Sequence, residues 1–202
     1  MRFLSDDVLG ACLAGAEAIE SIASNMSDDD WGRPTPCEEW DAADLLNHLY
    51  CIGEDYNRFL DCLFDEYAGP LLVHDDIAAH NARRIASLPP ASPLVRVAQF
   101  GLAARNFVSR LPRAWDLPLF PMNGHPWTVG DYAAFCALEW HLHAWDLYSS
   151  VGVPYRPECR GTLGAACGRW LPDAFRTGDD CWDVLLQVSG RQPGLGLSHE
   201  TV

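Results

Sequence analysis

One stretch, Thr128 to Gly152 (TVGDYAAFCALEWHLHAWDLYSSVG), constrains this chain more than any other. It reads as a single helix. Thr128 stands at the N-cap, with Asp131 three residues on to complete a capping box, and Gly152 stands where a C-cap glycine ends the turn. Phe135, Leu138, Leu142 and Trp145 recur at three- and four-residue steps and are expected to form its apolar stripe. Glu139 and His143 are four apart, so both project from one face, one turn from each other. Asp146 follows one further turn along roughly the same side, while His141 points elsewhere. A carboxylate and an imidazole on a mostly apolar helix are costly to bury unless paired or bound to a metal. The pair is therefore half of a site, and the other half must come from another element.

Helical periodicity supplies the candidates. Residues 5–24 carry Val8, Leu9, Cys12, Leu13, Ala16, Ile19 and Ile22 on one face, with acids in the first turn. A second helix is expected from about Asp41, again with an acid three residues on (Asp44), to about Glu66. Its apolar face uses Leu45, Leu46, Leu49, Ile52, Tyr56, Phe59, Leu60 and Leu63, and includes His48. Shorter or later helices are expected over 75–88, 93–111 and 158–176, with Pro172 kinking or ending the last. The irregular connection 112–127 carries a short extended piece at Leu117–Phe120. The fold class is thus all-α: a four-helix bundle with extra short helices, one domain over 1–188, and a mobile tail from Ser189 to Val202.

His48 placed beside Glu139 and His143 makes two imidazoles and one carboxylate from facing helices. That is a tridentate metal site with a position left open, the donor set zinc uses in catalysis. The ordinary alternative for His48 is a hydrogen-bonded core histidine.

Totals exclude several function classes. The net charge of −14 opposes nucleic acid or an anionic membrane as partner. All basic residues are arginine, a sign of coding bias rather than function. No apolar run reaches the roughly 20 residues of a membrane span, and Asp6 and Asp7 interrupt what would be a signal-peptide core. The eight cysteines are scattered without a CxxC pair, so they are read as small buried hydrophobes of a reduced, cytoplasmic protein.

The runs RPTPCEEWDAADLLNHL (33–49) and EWHLHAWDLYSSVG (139–152), with the loop LPLFPMNGHPWTVGDY between them, resemble the signature stretches of the mycothiol-dependent maleylpyruvate isomerase N-terminal domain. That domain sits within the DinB-like metal-binding four-helix bundles. The resemblance covers about residues 5–178. It implies a divalent metal, zinc in the first instance with Ni2+ as the alternative, held by His48, Glu139 and His143. It also implies mycothiol or a similar low-molecular-weight thiol as cosubstrate. The chain ends where the two-domain isomerases continue, so an activity other than maleylpyruvate isomerisation itself is expected.

The expected chemistry is thiol transfer to, or cis–trans isomerisation of, a small electrophile. His141, Asp146 and His125 are candidates for the catalytic surroundings, Asp146 by orienting a ligand imidazole. Trp127, Arg105 and Arg110 are candidates for binding substrate or thiol, against the ordinary readings of packing tryptophan and solvated arginine. Trp31, Trp40, Trp115 and Trp145 are read as packing, and Cys37 as structural. Two other readings stay open: a non-catalytic metal-binding or ligand-sensing bundle, and an enzyme in which metal-bound water replaces the thiol. A homodimer through an exposed apolar helix face is compatible with each.

Overall fold

The computed structural model describes residues 5–37, 40–64, 77–119, 126–171, 173–174, 176 and 179–191. Seven α-helices are found among them, and no β-strand beyond two isolated bridges. They are α1 (Ser5–Asn25), α2 (Ala42–Phe64), α3 (Ile77–Ala86), α4 (Pro93–Arg110), α5 (Val129–Ser150), α6 (Arg160–Trp170) and α7 (Cys181–Val188). Helices α1, α2, α4 and α5 form the bundle. The closest pairings are α1 with α5, α2 with α4 and α1 with α4, whereas α2 and α5 meet more loosely.

The caps of α5 form as the sequence requires. The Thr128 hydroxyl accepts from the Asp131 amide at 3.2 Å, and Asp131 Oδ2 accepts from the Thr128 amide at 2.8 Å. At the other end Gly152 adopts φ +73°, its amide reaches Ser149 O, and the Val153 amide reaches Tyr148 O. This is a Schellman termination, in which the left-handed residue favours glycine. Asp44 likewise donates its amide to Asp41 Oδ1 at 2.8 Å, starting α2.

The expected apolar stripe of α5 is not the helix's most buried side. Ala133, Ala134, Cys136, Ala137, Trp140, Ala144 and Leu147 are fully buried, while Phe135, Leu142 and Trp145 are only partly so. The helix is central, buried nearly all round. Its small residues meet neighbouring helices and its large rings fill the margins.

The end of the chain departs furthest from expectation. In place of one helix over 158–176, α6 stops at Trp170 and a separate α7 begins at Cys181, capped by the Asp180 carboxylate, which accepts from the Trp182 amide at 3.0 Å. Residues 189–191 are docked on the bundle through Arg191, and 192–202 lie outside the described residues. The extended piece expected at 117–120 reduces to a bridge between Pro118 and Thr128. None of the eight cysteines forms a disulfide.

Candidate metal centre

The site lies in the loose α2–α5 seam. His48, early in α2, and His143, late in α5, face each other edge to face with ring centroids 5.2 Å apart. Two turns down α2, the Tyr56 hydroxyl donates to Glu139 Oε2, one turn back along α5. The helices are therefore antiparallel here, and their facing registers bring all three expected ligand residues to one seam.

Each of the three candidate residues has a distinct electrostatic setting. His48 is buried, and its Nδ1 has no hydrogen-bond partner. Burial, reinforced by His143, pushes its pKa down to about 2, so the ring is neutral at physiological pH. A buried neutral imidazole with an orphaned nitrogen is a donor set awaiting an acceptor. His143 Nδ1 lies 3.0 Å from Asp146 Oδ2. That carboxylate is fully buried, and Arg191 grips it from the other side, Nε to Oδ1 and Nη2 to Oδ2, each at 2.7 Å. Its pKa is lowered: burial opposes ionisation, but the bonds from His143 and Arg191 outweigh it. An ionised carboxylate only accepts, so His143 donates to it from Nδ1. Glu139 is partly buried and its pKa is raised by desolvation, with Tyr56, His143 and Arg191 pulling the other way.

The described part of the loop, residues 33–37 and 40–41, walls the seam. It is closed by the Pro34–Asp41 bridge and by the Thr35 hydroxyl donating to Trp40 O at 2.8 Å. It seats Trp40 with its ring centroid 4.4 Å from that of His48 and 6.5 Å from that of His143. Read from the sequence as a packing residue, Trp40 is part of the site wall. Cys37, from the same loop, also comes in: its sulfur and ligand-type atoms of His143 and Asp146 lie within 4.8 Å of one another. Among the described residues this is the one group of three with ligand-type atoms so close, and the trio of His48, Glu139 and His143 does not meet that spacing. The Cys37 group already holds a cation, because Arg191 Nη2 sits 2.7 Å from Asp146 and 3.8 Å from Cys37 Sγ. It is a hydrogen-bonded support for His143 rather than a rival ion site.

The other expected site residues are dispersed. His141 is buried on the α1 and α6 side of α5, with Nε2 3.0 Å from Ala11 O and 3.2 Å from Cys159 Sγ, and Nδ1 2.5 Å from the Tyr155 hydroxyl. Burial lowers its pKa to about 4. It is a core histidine, neither exposed nor directed at His48. Arg105 pairs with Glu20 at 2.7 Å, and Arg110 pairs with Asp61 and reaches Asn57 O at 3.2 Å, both in ion pairs on the bundle's surface. Trp127 is buried against Trp170 with centroids 4.5 Å apart, and His125 lies outside the described residues. Asp146, expected to orient an imidazole, lies 3.0 Å from His143 Nδ1. Arg191 was missed, although Asp180, Asp183 and Gly190 bracket an apolar run with ordinary helix-boundary signals.

The sequence matches the profile of the mycothiol maleylpyruvate isomerase N-terminal domain over residues 12–148. The chain belongs to this family. The match takes in His48, Glu139, His143 and Asp146 and stops short of α6, α7 and Arg191. Two uncharacterized proteins of Mycobacterium tuberculosis, from strains CDC 1551 and H37Rv, are each 29% identical over 119 residues. Those alignments span 55% of this chain and 65% of each relative. Among solved structures, a mutant of the mycothiol-dependent maleylpyruvate isomerase superposes with a TM-score of 0.66 at 12% identity, covering 87% of this chain and 75% of that one. At that identity the likeness shows the shared DinB-like fold. No described helix is long and apolar enough to cross a membrane.

Proposed function

We propose that the α2–α5 seam holds one divalent cation, zinc before nickel, on His48, Glu139 and His143. We further propose that the protein is a cytoplasmic, thiol-dependent transferase or isomerase acting on a small electrophile. The observation that carries this is the meeting of His48, a buried neutral imidazole whose Nδ1 has no hydrogen-bond partner, with His143 across the α2–α5 seam that also holds the Glu139 carboxylate. Two imidazoles and a carboxylate suit zinc, and three protein ligands leave a position for a substrate atom. When bound, such a cation supplies Lewis acidity, which favours the anionic form of a thiol or water.

The chain's own residues do the rest. Asp146 holds the Nδ1 edge of the His143 ring, which faces His48 across the seam. Tyr56 holds the Glu139 carboxylate by donating to Oε2, fixing where that negative charge sits. Trp40 shields His48 from water. The reaction supported by the family is addition of a low-molecular-weight thiol across an activated double bond. Retention of the adduct is S-transfer; departure of the same thiol after rotation about the former double bond is cis–trans isomerisation. The related isomerase is mycothiol-dependent by name, and mycothiol is the thiol we propose here.

The test is calorimetric titration of mycothiol into zinc-loaded and metal-free protein. Binding that requires the metal supports the thiol reading. Equal heats, or none, with metal present would move the assignment to metal-bound water or to a non-catalytic site.

A further inference from the structure

Arg191 lies outside the family match and directly behind a proposed ligand. Its delivery is built into the chain. Asp180 caps α7, and Trp182, Leu185 and Leu186 bury its inner face. At the C-terminus Gly190 adopts φ +76°, its amide donates to Gln187 O at 3.0 Å, and the Arg191 amide donates to Leu186 O at 2.8 Å. These are the two bonds of a Schellman termination, with Gly190 at the left-handed position and Arg191 immediately after it. The turn sends the guanidinium inward, where its side chain is only 10% exposed. There it forms two near-parallel 2.7 Å bonds to Asp146.

A bidentate guanidinium constrains a carboxylate's rotation as well as its charge. With both Asp146 oxygens engaged, Oδ2 is held where His143 Nδ1 meets it at 3.0 Å. We infer that Arg191 is a positioning residue for the metal centre: through Asp146 it fixes the tautomer and ring orientation of His143, so that docking of α7 and readiness of the ligand are coupled. The inference rests on the proposed metal site, but its first readout does not need a metal. Outer-sphere partners of metal-bound histidine typically contribute about 10- to 100-fold in affinity.

The experiment is side-chain 15N NMR of the histidines in metal-free protein, followed by zinc titration against a competing chelator. Wild type should show His143 as the Nδ1–H tautomer. Arg191→Gln should show a tautomer mixture and bind zinc about 10-fold more weakly or worse. Arg191→Lys, which keeps the charge but loses the fork, should fall between them. Removing one member of a buried ion pair can unfold a protein, so the double variant Arg191→Met/Asp146→Leu, which removes both charges, provides a folded background. It too should lose the fixed tautomer and the zinc affinity. Folded Arg191→Gln with wild-type tautomer and affinity would overturn the inference. If wild type binds no zinc, the metal assignment fails, and the tautomer comparison alone then decides whether Arg191 positions His143.

Discussion

The Tyr56 hydroxyl donates to Glu139 Oε2 across the α2–α5 seam, joining residues 83 positions apart. Desolvation raises the Glu139 pKa, and this bond is the leading opposing influence. Tyr56→Phe should therefore raise that pKa further. A hydrogen bond to an ionised group is worth about 2 kcal/mol. Urea denaturation of metal-free protein at pH 7 should show a loss of that size, whereas an unchanged midpoint would mean that the carboxylate finds other partners.

His141 predicts an acid-side loss of stability. Its folded-state pKa of about 4 lies below the unfolded reference of 6.5. Between those values the unfolded chain binds the proton and the folded chain does not, so stability falls as pH drops from 6.5 to 4. The full effect is about 3 kcal/mol at roughly 1.4 kcal/mol per pKa unit. His141→Gln, neutral throughout and still able to hydrogen-bond, should flatten the metal-free stability profile over that window. Parallel profiles for the two proteins would refute the assignment.

Thiol reactivity should sort by burial. Cys12, Cys51, Cys136 and Cys167 are the most deeply buried cysteines, and desolvation raises the pKa of Cys12, Cys51 and Cys136. A thiol-specific reagent at pH 8 should leave these four unmodified in folded protein and modify all eight in urea. Rapid native labelling of Cys136, which lies beside Tyr56 in the core, would contradict the seam's packing.

Thr128→Ala removes the side chain that accepts from the Asp131 amide and bonds Asp131 Oδ2. The loss of an N-cap of this kind is worth about 1 kcal/mol. Thermal or urea denaturation should show it, and Thr128→Ser should recover most of it.

The bundle and the seam on which His48, Glu139 and His143 lie were legible because the signals are local: caps at Thr128 and Gly152, a four-residue spacing from Glu139 to His143, and a histidine within the apolar face of α2. What escaped depends on tertiary contact. Trp40 looks like any packing tryptophan until the fold sets its ring against His48. Arg191 stands beyond an eight-residue helix too short for its periodicity to stand out, and its partner is 45 positions away. The Phe135–Trp145 stripe misled because in a central helix the small residues face the closest neighbours, so residue size no longer marks the buried side. His141 was drawn toward the site by its nearness in sequence, but a two-residue step on a helix turns it to the α1 side, against Ala11.

The most direct measurement is the metal content of the purified protein beside that of His48→Ala and His143→Ala, each supplied with zinc and dialysed. About one equivalent in wild type, lost in both variants while helical circular dichroism is kept, is the expected result. Wild type that folds fully and retains no metal, or variants that retain a full equivalent, would contradict the proposed centre.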